Sequence, residues 1–249
     1  MKSKQDCLNV CHRLGLMEGD VVIIHHHPFL NDLLNKSATM IEALKETVGP
    51  DGTLVSYQIL QVNQDPSLDA QIPFDKRERG REELAQFDFK KYREIYYHPT
   101  LLALTKVNHR EFNSHPKVVV CAIGKYAALI TKGQPLDFPF GSGSPFETLK
   151  ELNAKVLMFG DDYSDAHELR HAYTDQKIQS IGVHGVALGN QWTKFNDYRY
   201  ESSFYQSAIE NTHKKEVEFN HKKIQSFSYQ EALNQFINQH KQLFNELGQ

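Results

Sequence analysis

Four apolar runs punctuate an otherwise polar chain: Val21-Val22-Ile23-Ile24, Thr53-Leu54-Val55-Ser56-Tyr57, Val118-Val119-Val120-Cys121-Ala122-Ile123 and Lys155-Val156-Leu157-Met158-Phe159. Each is short, rich in β-branched residues and flanked by glycine, proline or aspartate, which predicts buried strands. Helical spacing lies between and around them. Residues 3–15 predict a short helix with Leu8, Leu14 and Leu16 as apolar contacts. Met40, Ile41, Leu44 and Val48 recur at helical spacing behind Ser37, an N-cap residue, so a helix is expected over about 38–48. Glu18-Gly19-Asp20 and Gly49-Pro50-Asp51-Gly52 read as turns. This strand–helix–strand order predicts an α/β fold with a mixed, largely parallel central sheet flanked by helices.

The later chain continues the theme. Gly124 ends the third run and a helical stretch follows from Lys125 to Thr131. A short helix from Pro145 to Leu152 precedes the fourth strand. That strand opens through Gly160 onto Asp161-Asp162-Tyr163-Ser164-Asp165 and a helix carrying His167. Residues 215–229 are expected to add an edge strand, and Tyr229 to Leu247 a C-terminal helix. Residues 60–100 are polar, with a charged run from Lys76 to Glu83, and read either as a solvated segment or as a lid over a cleft. With no internal repeat, the expectation is a single α/β domain over 1–249 with a lid insertion at about 60–100.

Composition narrows the function. A net charge of −3 argues against a nucleic-acid partner. No window is apolar enough for a membrane span. The 3 cysteines, Cys7, Cys11 and Cys121, have no framework spacing. Met1 to Asp6 carries no apolar signal core, so a cytoplasmic location is expected. A homodimer is compatible with all of this.

Candidate chemistry collects where strands end, since open α/β sheets bind ligands beyond the carboxyl ends of their strands. His25-His26-His27 follows the first strand, and Asp161 to His171 follows the fourth. His115-Pro116 stands at the entry of the third and has the weaker positional claim. Alternation would send His26 to the opposite face from His25 and His27. His167-Glu168-Leu169-Arg170-His171 is also a literal H-E-x-x-H, which on an α-helix offers two histidines to zinc. Lys177 stands where a third ligand would fall at the six-residue spacing, so no metal is expected and a zinc hydrolase is an alternative. Cys121 reads as a small core residue.

The ordered series of motifs resembles the aminoglycoside 3-N-acetyltransferase (antibiotic N-acetyltransferase) family. The resemblance rests on Leu14-Gly15, Gly19-Asp20, the strand Val21 to Ile24 with His25 at its end, and Val48-Gly49 through Gly52-Thr53-Leu54. It continues through His115-Pro116 with Gly124, then Gly141-Ser142-Gly143-Ser144-Pro145, Gly160, His167 and Trp192. It implies transfer of an acetyl group from acetyl-CoA to an amine of an amino-sugar or aminoglycoside-like substrate. It also implies His167 as general base, His25 positioned near the thioester, and His26, His27, Ser142, Gly143 and Ser144 toward CoA. Arg170, His115 and Asp162 are expected toward the amine substrate. His26 and His27 stand where the family has serines, and Arg170 where it has a glutamate. These departures raise a catalytically degenerate CoA-binding protein as the alternative, and Arg170 favours an acceptor carrying negative charge over a polycation.

Overall fold

The computed structural model describes residues 3–25, 39–60, 71–83, 98–113, 115–175, 181–188, 191–198, 203–219 and 221–247. The four apolar runs form strands β1 (Val21–Ile24), β2 (Thr53–Ile59), β4 (Val118–Gly124) and β5 (Lys155–Phe159); a two-residue strand, β3 (Glu111–Phe112), precedes β4. A ribbon of β6 (Ile181–Leu188) and β7 (Gln191–Tyr198) follows, then the hairpin of β8 (Lys215–Phe219) and β9 (Lys222–Ser228). Seven of these make one open sheet in the order β3-β4-β2-β1-β5-β9-β8, while β6 and β7 form a separate two-stranded sheet among the described residues.

The sheet is mixed, but parallel pairing is narrower than the sequence suggests. Among the described residues only β1 with β2 and β1 with β5 are parallel. β4 runs antiparallel to β2, β9 to β5 and β8 to β9. The physical reason lies in the connections. A helical crossover between strands gives parallel neighbours, whereas the β8–β9 turn can only give an antiparallel pair. The single edge strand expected over 215–229 is thus a hairpin, with β8 on the edge.

Alternation along the strands builds two cores, one per face. Val21 and Ile23 of β1, Val55 and Tyr57 of β2, and Val118, Val120 and Ala122 of β4 face one layer with Phe140, Phe146, Leu169, Tyr229 and Phe236. Val22 and Ile24, Leu54, and Val119, Cys121 and Ile123 face the other, packing against Cys7, Val10, Leu14, Met40, Ile41 and Leu44. The second layer contains α1 (Lys4–Arg13) and α2 (Thr39–Val48). The first helix is closed at its start by a capping box, with Ser3 Oγ accepting from Asp6 N–H at 3.2 Å and Asp6 Oδ2 from Ser3 N–H at 2.8 Å. The C-terminal helix, α8 below (Tyr229–Leu247), has the bounds the pattern predicts. All three cysteines are buried and free.

The remaining α-helices among the described residues are α3 (Arg77–Glu83), α4 (Pro99–Thr105), α5 (Ala127–Thr131), α6 (Pro145–Glu151) and α7 (Ser203–Glu210). Of the expected lid, 61–70 and 84–97 lie outside the described residues. Between them, 71–83 is described and has no buried residue in its helices. Arg81 stands 5.6 Å over the Trp192 ring of β7. No helix among the described residues is long and apolar enough to cross a membrane.

Candidate active site

β1 lies between its parallel neighbours β2 and β5, with the helix that follows β1 in one layer and the segment that follows β5 in the other. Such a switch point leaves a crevice between the two connections. His25 follows β1 directly, two residues past Ile23, and alternation aims it at the same layer as Tyr57 of β2. Because Ile23 pairs with Val55, His25 and Tyr57 come to the same level, with ring centroids 5.7 Å apart and edge to face.

The segment His167–Asp175 after β5 is a 3-10 helix, not an α-helix. With three residues per turn, side chains three apart share a face. Ala166, Leu169 and Ala172 face the core, each nearly sealed from solvent. His167 and Arg170 share a second, half-buried face that lines the crevice. Glu168 and His171 share the third and are both buried. This period also corrects the zinc reading. Four residues of 3-10 helix rotate His171 roughly 120° from His167, off the shared face that H-E-x-x-H requires. His171 Nδ1 instead meets the Phe140 carbonyl at 2.8 Å. Among the described residues no group of three ligands is poised for a metal.

Glu168 is the residue around which the site is organised. It is fully enclosed, with 0% of its surface exposed. A carboxylate taken out of water must be hydrogen-bonded and paired. Its Oε1 lies 2.8 Å from His25 Nε2, and its Oε2 accepts from the Tyr57 hydroxyl at 2.5 Å. The Tyr57 oxygen in turn accepts from the Glu168 backbone N–H at 3.1 Å, and Tyr229 donates to the Glu168 carbonyl at 2.8 Å. A carboxylate acceptor fixes the His25 tautomer with its proton on Nε2, leaving the Nδ1 lone pair.

A cleft of about 380 Å³ opens over this group, lined by Ile24, His25, Tyr57, Gln58, Ile59, His98, Asp165, His167 and Arg170. His167 Nδ1 is buried without a hydrogen-bond partner among the described residues. Its Nε2 is 3.6 Å from Asp165 Oδ1. Burial, then the charges of Arg170 and His25, lower the His167 pKa to about 3, so the ring is neutral at ordinary pH. The Arg170 guanidinium lies 5.2 Å over the Phe140 ring, and its Nε donates to the Tyr205 hydroxyl at 3.3 Å. His98 lines the cleft but is engaged structurally: Nδ1 caps α4 by accepting from Leu101 N–H at 3.1 Å, and Nε2 meets the Tyr57 carbonyl at 3.0 Å.

The structure thus brings His25, His167 and Arg170 into one cleft. His26 and His27 lie outside the described residues. His115 sits at the same end of the sheet, because antiparallel β4 starts beside the end of β2. Its ring is nevertheless used by backbone: Nε2 meets the Leu136 carbonyl at 3.0 Å and Nδ1 accepts from Lys117 and Val118 N–H. Asp162 is exposed, and its Oδ1 accepts from Ser164 N–H at 3.0 Å. Ser142 and Gly143 are exposed on the turn before α6, where Gly143 N–H donates to Glu147 Oε2 at 2.7 Å. Ser144 is buried, its Oγ without a hydrogen-bond partner among the described residues. None of these last five residues lines the cleft. Sequence reasoning missed Glu168 and Tyr57. Strand alternation was a usable signal for Tyr57. Glu168 was obscured because its partners, His25 and Tyr57, lie 143 and 111 residues away in the chain.

Comparison with known proteins agrees with this frame. Residues 29–240 match the family model described as aminoglycoside 3-N-acetyltransferase, a span that includes His167 and Glu168 and begins just past His25. Aminoglycoside N(3)-acetyltransferase VIII of Streptomyces fradiae is 28% identical over 205 residues, covering 74% of this chain and 67% of that protein. The chain spans 60–67% of the length of the first curated relatives it matches. The crystal structure of YokD protein from Bacillus subtilis is 20% identical with a TM-score of 0.80, covering 96% of this chain and 99% of that one. AAC-IIIb in its binary complex with CoASH is also 20% identical, with a TM-score of 0.78 and 97% of each chain covered. The chain belongs to the aminoglycoside 3-N-acetyltransferase family.

Proposed function

We propose that the protein transfers an acetyl group from acetyl-CoA to an amine of an aminoglycoside or related amino-sugar, with His25 and His167 flanking the reacting atoms. The observation that carries this reading is the buried His25–Glu168 pair, with its 2.8 Å contact, at the floor of a cleft at the sheet's switch point. Family membership and the CoA complex of a relative with the same fold support it.

The chemistry asks for a proton acceptor and a path for the proton. The nitrogen–carbon bond of the amide forms, the carbon–sulfur bond of the thioester breaks, and the amine proton ends on the CoA sulfur. His25 suits the acceptor role, because Glu168 holds its Nε2–H and stabilises the imidazolium that forms when Nδ1 takes the proton. From the same atom the proton passes to the departing sulfur. The expected assignment of general base to His167 moves to His25 for a physical reason: a ring whose pKa is lowered to about 3 is a weak acceptor for an amine proton. His167 then acts as a neutral imidazole that hydrogen-bonds the reacting groups.

Arg170 and Asp165 line the cleft together and offer one charge of each sign to the acceptor. Charge therefore does not select an anionic acceptor over an aminoglycoside. For CoA, the exposed Ser142 hydroxyl is an accessible donor, whereas the Ser144 hydroxyl is sealed from the surface, and His26 and His27 are carried by the resemblance alone. Gly143 has its N–H committed to Glu147 and is a poor phosphate donor.

The test is thiol release from acetyl-CoA by the purified protein against a panel of aminoglycosides and simpler amino-sugars, with mass spectrometry of the product. An acetylated amine is expected, and replacing His25 by Ala should lower kcat by about 10²–10⁴-fold. Absence of acetylated product across the panel overturns the proposal.

A further inference from the structure

We infer that Tyr57 is a positioning residue for this reaction: its phenol locks the Glu168 carboxylate so that the other oxygen meets His25. The inference rests on the proposed role of His25. It begins from the number of contacts one hydroxyl makes. The Tyr57 oxygen lies 2.5 Å from Glu168 Oε2, 3.1 Å from the Glu168 backbone nitrogen and 3.1 Å from the Asp165 carbonyl. A phenol has a single hydrogen. The short contact to a charged acceptor takes it, and the Glu168 N–H then donates to the same oxygen. Tyr57 therefore grips both the side chain and the main chain of the residue that orients His25.

Burial makes this grip consequential. Glu168 is sealed from water, so an oxygen without a donor there would favour the protonated acid. A neutral Glu168 would no longer stabilise a His25 imidazolium. Burial, followed by the Glu168 charge, raises the Tyr57 phenol well above its usual range, so it remains a neutral donor wherever the enzyme would work. Tyr57 is held in place independently of its hydroxyl, with its ring edge-on to Phe146 at 5.2 Å. Other titratable groups that face this cluster are Tyr229, Tyr205, His167, Asp165 and Arg170.

The experiment combines Tyr57→Phe, Glu168→Gln and the double variant. Tyr57→Phe should lower kcat about tenfold with KM for both substrates unchanged. The His25 ring, followed by NMR with His25→Ala for assignment, should titrate at lower pH in Tyr57→Phe, and in Glu168→Gln further in the same direction. The double variant should be no slower than Glu168→Gln alone, because Tyr57 acts through that carboxylate. Losses that multiply, a raised KM with kcat preserved, or a His25 titration indifferent to Tyr57→Phe would overturn the inference. A wild-type protein that acetylates no amine would sink the proposed reaction. In that event a displaced His25 titration in Tyr57→Phe still upholds the positioning role.

Discussion

Two buried histidines stand at the same end of the sheet, and the contrast between them separates chemistry from architecture. His25 is 5% exposed and His115 is 3% exposed, so burial does not distinguish them. Their partners do. His25 meets a side-chain carboxylate, while both nitrogens of His115 are used by the backbone of residues 117, 118 and 136. A carboxylate partner stabilises an imidazolium during turnover. Two N–H groups donating to Nδ1 can be served only by the neutral ring. The first histidine can cycle its proton, whereas the second is a fastener between the turn before β4 and the loop at Leu136.

The largest expected effect breaks this pair apart by function. His25→Ala should abolish most turnover, by about 10²–10⁴-fold, and also cost stability, because it leaves one oxygen of the buried Glu168 carboxylate without its partner. His115→Ala should leave kcat per folded molecule nearly unchanged. Steady-state kinetics with active-site titration would check both. Equal losses of kcat in the two variants would dissolve the distinction.

Acid stability sharpens it next. Burial lowers the His115 pKa to about 4, against 6.5 in an unfolded chain. The unfolded chain therefore binds the proton first. The stability that neutral His115 contributes is complete above pH 6.5, falls as pH drops from 6.5 to 4, and changes no further below that. The difference amounts to about 3 kcal/mol. Urea midpoints at pH 7 and pH 4.5 should show this loss in the wild type and a smaller one in His115→Asn. A variant as acid-sensitive as the wild type would place the sensitivity elsewhere.

At neutral pH the same site predicts a smaller effect. His115→Ala orphans two N–H groups and one carbonyl, at a cost of about 2 kcal/mol. His115→Asn should recover part of it, since an asparagine oxygen can accept from the N–H two residues on. Thermal unfolding would rank wild type above Asn above Ala.

How much of this was readable beforehand depended on period. The β strands announce themselves because alternation is short-range: Val21 to Ile24 divides correctly between two cores, and the same rule carries His25 to the face of Tyr57. The His-Pro at 115 looked remote from the crevice because strand direction is a long-range property. Only the antiparallel pairing of β4 with β2 brings it to that end. Glu168 was hidden because its partners His25 and Tyr57 are remote in sequence, and the faces of its segment were misjudged for a different reason. A 100° step and a 120° step diverge little over one residue, but by the fourth they decide whether His167 faces His171, and by the third whether it faces Arg170. Nothing in the local composition of HELRH selects the tighter helix. Packing of Ala166, Leu169 and Ala172 against the sheet, with Tyr229 bonded to the Glu168 carbonyl, stabilises it.

The smallest effect concerns the charge beside His167, a third histidine whose surroundings hold it neutral. Burial is the main reason His167 stays neutral, Arg170 the next, then His25, and Lys117 the weakest. Arg170→Gln should therefore raise the His167 titration, yet leave it below that of a free histidine because burial remains. Lys117→Gln should move it less. It also releases the buried Asp197 that Lys117 pairs at 2.9 Å, so its larger consequence should be lost stability. If His167 works as a neutral imidazole, raising its pKa brings a proton onto it nearer to working pH. The acidic limb of kcat/KM in Arg170→Gln should then shift upward. An unmoved limb, with the His167 titration displaced in the NMR spectrum, would mean that His25 alone sets the pH dependence.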